Sequence, residues 1–198
     1  MRWTSFSGNV NQAKPVEVNR NPKMLIVFDL KTGTNVRFLA SLRFLICNPF
    51  TMNKQDAVAK ALSYFDEGYA CSQSVLLAFA EELDLNENTA KLISSTFGGG
   101  MGRLRQKCGA VTGGFMVLGL TYGNSDPRDM DTKLASYKKV RELNHLFEDI
   151  HGTSVCADLL KKHATEADVS ERKHHKIICR KIVSDVVGIL YDLTFQPK

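Results

Sequence analysis

Hydrophobic residues recur at helical spacing through most of the chain after its first quarter. Between Asn53 and Gly68, Val58, Leu62 and Phe65 fall on one face. Apolar residues at intervals of three and four lie on one side of an α-helix, so this stretch predicts an amphipathic helix. Asn53 is a favourable N-cap, and Gly68 is typical of the residue that follows a helix end.

The same periodicity predicts further helices and no strand after residue 52. Helix starts are expected near Cys71, Asn86, Cys108, the 124–127 turn, Ser154 and the end of a polar loop at 163–175. The long helix after the turn is expected to bury one face, formed by Tyr137, Val140, Leu143, Phe147 and Ile150. The predicted fold is all-α, a single compact bundle of about six to seven helices with a poorly structured N-terminal extension.

Residues 1–51 lack this periodicity. They contain one strand-like run, 24–30, and one apolar patch, 36–47, and neither has an identifiable partner. Met52 then opens the first well-capped helix. We therefore predict an N-terminal extension at 1–51, either disordered or a mistranslated leader, and a helical domain at 52–198. A chain that starts at Met52 is expected to fold and to keep any cofactor.

The formal net charge of +5 comes entirely from the extension. Residues 1–51 contain seven basic and two acidic side chains, so the remaining residues carry 19 of each sign. A neutral domain gives no reason to expect nucleic-acid binding. Membrane insertion is not expected either, because no apolar run reaches the roughly 20 residues that a spanning helix needs. No secretory signal is evident, so we predict a cytoplasmic protein, in which cysteines stay reduced unless they bind metal or do redox work.

A glycine-rich stretch at 97–122 holds eight of the 14 glycines and surrounds Cys108, which three basic residues precede within five positions. Glycine costs a helix interior about 0.5–1 kcal/mol relative to alanine. Several in one helix indicate that a neighbouring helix, or a cofactor held at Cys108, approaches the backbone closely. Cations before the cysteine could offset negative charge on a thiolate or a thiolate-ligated cluster. The candidate cofactor-binding residues are Arg103, Arg105, Gly109 and Gly113.

Four cysteines share one placement, at or within about a turn of a predicted helix start. They are Cys71, Cys108, Cys156 and Cys179. Free N–H groups and the helix dipole at such starts lower a thiol pKa. No C-x-x-C pair occurs, which argues against a zinc ribbon or a thioredoxin-type site. The set suits an iron–sulfur cluster, a zinc ion or a redox-active thiol pair, and the plain alternative is that these cysteines pack as small hydrophobes.

Several pieces of the chain resemble the small redox-active proteins named for a Cys, Gly-Cys-Ala-x-x-Gly, Cys, Cys pattern. The pieces are GYACSQSVL at 68–76, CGAVTGG at 108–114, GTSVCADLL at 152–160 and IIC at 177–179. Here the cysteine precedes the glycine, as Cys108-Gly109, so the Gly-Cys-Ala element is not matched letter for letter. The resemblance implies a redox or metal role for the four cysteines and leaves Cys47 and residues 1–51 outside the family.

The leading expectation is a redox-active protein in which Cys71, Cys108, Cys156 and Cys179 bind a metal centre for electron transfer. A [2Fe–2S] cluster is favoured, with zinc or no metal as alternatives. One rival is a thiol–disulfide oxidoreductase, with Cys108 as the low-pKa attacking thiol and another cysteine resolving. Another is a zinc-stabilised helical binding module. The expected partner is a redox protein, with a second copy of the chain left open.

Overall fold

The computed structural model describes residues 52–164 and 171–195, which form seven helices and one isolated helical turn, with no strand. The helices are α1 (Lys54–Glu67), α2 (Cys71–Ala78), α3 (Glu87–Ser95), α4 (Gly109–Tyr122), α5 (Met130–His151), α6 (Cys156–Ala164) and α7 (Glu171–Thr194). The turn, Gly98–Met101, lies between α3 and α4. The all-α prediction is confirmed.

Helix α1 begins and ends where the sequence predicts. The side chain of Asn53 accepts a hydrogen bond from the backbone N–H of Asp56 at 2.9 Å. Gly68 follows the helix with a left-handed φ of 106°, which favours glycine. The buried face differs slightly from the prediction: it contains Ala57, Ala61 and Phe65, while Val58 and Leu62 are only partly buried. Small alanines let α1 pack closely against α2 and α7.

Helix α4 is the centre of the bundle and packs against α2, α5 and α7. A Cβ on Gly113 would lie 2.7 Å from the carbonyl oxygen of Ser72 in α2, and one on Gly114 would lie 2.8 Å from Cδ2 of Leu143 in α5. Both distances are too short for non-bonded atoms, so these glycines let two helices approach from different sides. At Gly113 the space left by the missing side chain is therefore filled by a neighbouring helix.

Helix α5 buries the middle of its predicted face and exposes the edges. Leu143 and Phe147 are fully buried, whereas Tyr137 is 49% exposed and Ile150 is 56% exposed. Successive helical residues are about 100° apart, so Tyr137 and Ile150 project from opposite edges of a broad stripe. The prediction that these two residues belong to the buried face is wrong for this reason.

The last helix begins earlier than predicted. It starts at Glu171, and Cys179 lies eight residues later, slightly more than two turns into the helix. The expectation that Cys179 lies near a helix start is therefore wrong. The first six residues of α7 include no apolar side chain, so hydrophobic periodicity gave no sign of them.

The two-part organisation stays a prediction, because residues 1–51, including Cys47, lie outside the described residues. Across the part of the chain that is described, no helix is both long and apolar enough to cross a membrane.

Candidate functional site

Two segments, 105–108 and 154–157, pair with each other where α4 and α6 begin. The backbone N–H of Cys108 donates to a carbonyl of the second segment at 2.8 Å, and the N–H of Cys156 donates to a carbonyl of the first at 2.6 Å. The contact is antiparallel and spans a single bridge. Main-chain hydrogen bonds therefore bring together two cysteines that are 48 positions apart in sequence.

Two glycines form the walls against which cysteines lie. A Cβ on Gly100 would lie 2.5 Å from the Cβ of Cys156 and 3.1 Å from its sulfur. A Cβ on Gly109 would lie 2.9 Å from the carbonyl oxygen of Phe97 and 3.5 Å from the Cβ of Cys71. The close approach at Gly100 thus involves a cysteine, whereas at Gly109 it involves the Phe97 carbonyl, with Cys71 at ordinary contact distance. Binding of a cofactor by Gly109 stays a prediction.

Cys71 and Cys179 are neighbours where α2 packs against α7. Cys71 is the first residue of α2, Cys179 projects from α7, and both are partly exposed. The thiol of Cys71 donates to the sulfur of Cys179, which raises the pKa of Cys71 well above its usual range and lowers the pKa of Cys179. The hydrogen bond therefore makes Cys179 the better nucleophile of the pair.

Cys108 and Cys156 are buried, with 5% and 7% of their surface exposed. Burial raises the pKa of Cys108 to about 12, although two backbone N–H groups at the start of α4 oppose the shift. Burial also raises the pKa of Cys156, against the effect of Arg105, whose Nη1 lies 4.0 Å from the Cys156 sulfur. The expectation that Cys108 has a lowered pKa is therefore wrong: the cost of burying a thiolate exceeds the stabilisation from the helix start.

Of the three cations near Cys108, Lys107 points away from the thiols. Its Nζ donates to Asn144 and to the hydroxyl of Ser154, each at 2.5 Å, and that hydroxyl donates to Glu148. The hydrogen bond from Ser154 holds the pKa of Glu148 below its usual range. This network ties both cysteine-bearing loops to α5. Ser154 was predicted to cap α6, but that helix begins two residues later.

The α5 partners in this network could not be predicted from the sequence. Asn144 and Lys107 are 37 positions apart, and Asn144 and Glu148 read as the polar side of an amphipathic helix. Arg103 and Arg105, by contrast, are exposed and lie in the loop beside the thiols. Cofactor binding by these two arginines stays a prediction.

All four sulfurs belong to one neighbourhood, since Cys108, Cys156 and Cys179 each contribute to the raised pKa of Cys71. Four thiols are a suitable donor set for an iron–sulfur cluster or zinc. Within residues 52–164 and 171–195, however, no three side chains of Cys, His, Asp or Glu are arranged to hold a metal ion. The donor chemistry fits a metal and the present arrangement does not, so the metal centre stays a prediction.

Comparison with curated proteins and with solved structures finds no match. A family model described as "Putative redox-active protein (C_GCAxxG_C_C)" matches residues 69–193. The matched span is more than half of the chain and includes Cys71, Cys108, Cys156 and Cys179, as the resemblance predicted. The chain therefore belongs to the C_GCAxxG_C_C family of redox-active proteins.

Proposed function

We propose that this protein is a thiol–disulfide redox protein in which Cys71 and Cys179 are the reacting pair. The observation that carries the proposal is that these two partly exposed thiols, where α2 packs against α7, shift each other's pKa in opposite directions. Cys108 and Cys156 are the less accessible thiols because they are buried. The attacking role that the sequence suggested for Cys108 therefore passes to Cys179.

The exchange begins with the Cys179 thiolate, which attacks one sulfur of a partner disulfide. The partner's S–S bond breaks, one partner thiolate leaves, and a mixed disulfide forms at Cys179. Cys71 then loses its proton and attacks the Cys179 sulfur, which releases the second partner thiolate. The protein ends with a Cys71–Cys179 disulfide, the partner ends with two thiols, and two electrons have moved to the partner. In the reverse direction the protein is the oxidant.

The second candidate is an iron–sulfur protein with Cys71, Cys108, Cys156 and Cys179 as ligands. The shared neighbourhood of the four sulfurs favours it. A [2Fe–2S] cluster would supply one-electron transfer when bound. Because the described side chains are not arranged for a metal, this candidate requires the thiols to move before they bind one.

The experiment that separates the candidates starts from anaerobically purified protein. Iron, zinc, acid-labile sulfide and visible absorption are measured first. The reduced protein is then treated with one equivalent of a small disulfide, its remaining thiols are alkylated, and the cross-link is mapped by mass spectrometry. We expect loss of two alkylatable thiols and a Cys71–Cys179 cross-link. The single Cys108→Ala and Cys156→Ala variants serve as matched controls that keep the reacting pair.

Two results would contradict the thiol–disulfide proposal. One is stoichiometric iron and sulfide that disappear in all four single Cys→Ala variants. The other is a disulfide that maps consistently to Cys108 and Cys156 while Cys71 and Cys179 stay alkylatable.

A further inference from the structure

The loop at 102–106 is exposed along its whole length and lies beside the thiols. Its centre presents Arg103, Leu104 and Arg105, and Leu104 is 70% exposed. The loop is held in place by its backbone: the N–H of Gln106 donates to the turn before it at 3.1 Å, and the carbonyl of Arg105 accepts from the start of α6 at 3.0 Å. The two guanidinium groups are therefore carried by a fixed main chain.

Both arginines adopt an uncommon backbone conformation. Their φ values are 69° at Arg103 and 61° at Arg105, in the left-handed region that costs energy for residues with a side chain. Such conformations persist where the surrounding structure imposes them. Here the imposed conformation keeps both side chains at the surface.

Neither arginine forms an ion pair with any other residue that the structure describes. Seven other basic side chains of the described residues do have carboxylate partners: Lys54, Lys60, Lys91, Arg128, Lys139, Arg180 and Lys181. Arg105 instead places Nη1 4.0 Å from the sulfur of Cys156, and its charge also acts on Cys179. Two exposed cations, neither of them in an ion pair with a described carboxylate, therefore lie in the loop that contacts Cys156.

We propose that Arg103 and Arg105 make the site selective for disulfides that carry carboxylates next to the S–S bond. The inference rests on the proposed function and specifies its substrate class. A carboxylate beside the scissile bond is attracted to the guanidinium groups while the Cys179 thiolate attacks the sulfur. The carboxylate takes no part in the bond changes, so the exchange keeps the electron and proton balance already given. Charge near a reactive group raises the encounter rate of an oppositely charged substrate and lowers that of a like-charged one.

The test compares three small disulfides of similar size: anionic dithiodiglycolate, neutral 2-hydroxyethyl disulfide and cationic cystamine. The rate of thiol loss is measured with fully reduced protein at an ionic strength of about 10 mM, where charges act over roughly 30 Å. Each rate is divided by the rate of the same probe with dithiothreitol, which removes the probe's own reactivity. We expect a normalised anionic-to-neutral ratio of about 10 and a cationic-to-neutral ratio below 1, by the usual size of electrostatic steering.

Variants then assign the ratio to the two arginines. In the Arg103→Gln/Arg105→Gln double variant the anionic-to-neutral ratio should fall to about 1, whereas Arg103→Lys/Arg105→Lys should retain most of it because the charge is kept. Lys138→Gln removes another exposed charge that has no ion pair with a described residue. Its neighbour Lys139 lies over the Tyr122 ring at the far end of α4, about 20 Å from the start of that helix. Lys138→Gln should leave the ratio unchanged.

Ionic strength gives an independent check, since about 1 M salt shortens the screening length to roughly 3 Å and should abolish the ratio in the wild-type chain. Equal normalised rates for the three probes at low salt, with the exchange itself intact, would overturn this inference and leave the proposed function standing. A ratio that survives in the glutamine double variant, with a helical circular dichroism spectrum, would also overturn it. Failure of all three probes to oxidise Cys71 and Cys179 would overturn the proposed function and the inference together.

Discussion

Replacing Gly100 with alanine should disturb the site more than replacing any other glycine of the same loop. The position combines two restrictions. Its φ of 71° is left-handed, and the added Cβ would lie 2.5 Å from the Cβ of Cys156 and 3.1 Å from the Cα of Arg105. Neither neighbour can rotate away, because Cys156 begins α6 and the Arg105 contact is with backbone. The substitution must therefore move a main-chain segment or the cysteine.

The size of the effect follows from a matched control. Gly102 has a similar φ of 62°, but a Cβ there would meet only the carbonyl oxygen of Thr96, at an ordinary 3.5 Å. Gly102→Ala should therefore cost only the backbone strain, about 1–2 kcal/mol. Gly100→Ala should cost the same strain and a further ~1–3 kcal/mol for forced overlap. The difference between the two variants isolates the overlap with Cys156 and Arg105.

The assay is urea unfolding followed by circular dichroism, with the free energy of unfolding compared among wild type and the two variants. A second measurement is the alkylation rate of Cys156 in the folded protein, which should rise in Gly100→Ala as the thiol is displaced. The reasoning is refuted if both variants lose the same free energy and Cys156 stays unreactive in each. That result would mean that Cys156 does not lie against Gly100.

Three further changes test other contacts. Gly113→Ala should lower the free energy of unfolding by about 1–3 kcal/mol, because the added Cβ overlaps α2. Gly119→Ala should raise it by about 0.5–1 kcal/mol, because a Cβ there meets nothing within 4 Å. Urea titration measures both changes, and a change of the same sign in the two variants would contradict the packing. Phe147→Ala, at a fully buried side chain, should lower the free energy of unfolding by about 3–5 kcal/mol. Cys71→Ala removes the hydrogen bond that lowers the pKa of Cys179, so that pKa should rise and the pH profile of Cys179 alkylation should move to higher pH; an unchanged profile would show that Cys71 is not its donor.

Local signals in the sequence predict helix boundaries well where a cap and an apolar stripe coincide. Asn53 and Gly68 mark the two ends of α1, and Asn86 marks the start of α3, because each capping hydrogen bond joins residues no more than four positions apart. At the start of α7 a candidate cap, Ser170, is present in the sequence but the apolar stripe is lacking, so the start was placed too late. As a consequence Cys179 was wrongly grouped with cysteines at helix starts, although its inclusion in the family pattern was correct.

The chemistry of the site depended on burial and on side-chain direction, which a linear pattern does not contain. Cys108 follows three cations and precedes a helix, and both features favour a thiolate. Its burial outweighs them, and Lys107 is drawn to α5 by polar groups 37 or more positions away. The pairing of Cys71 with Cys179 is likewise a property of helix packing, since 108 positions separate the two residues.

Main-chain hydrogen bonds between segments 105–108 and 154–157 hold the backbone of Cys108 and Cys156 in place. These bonds do not depend on most of the side chains in the two segments. The side chains of residues 104 and 106 can therefore change without altering these hydrogen bonds, apart from proline, because both N–H groups donate within the loop. The thiols keep their positions while the charge and shape of the surrounding surface diverge. Sequence changes at this surface can in this way alter which molecules reach the sulfurs, while the sulfur positions stay the same.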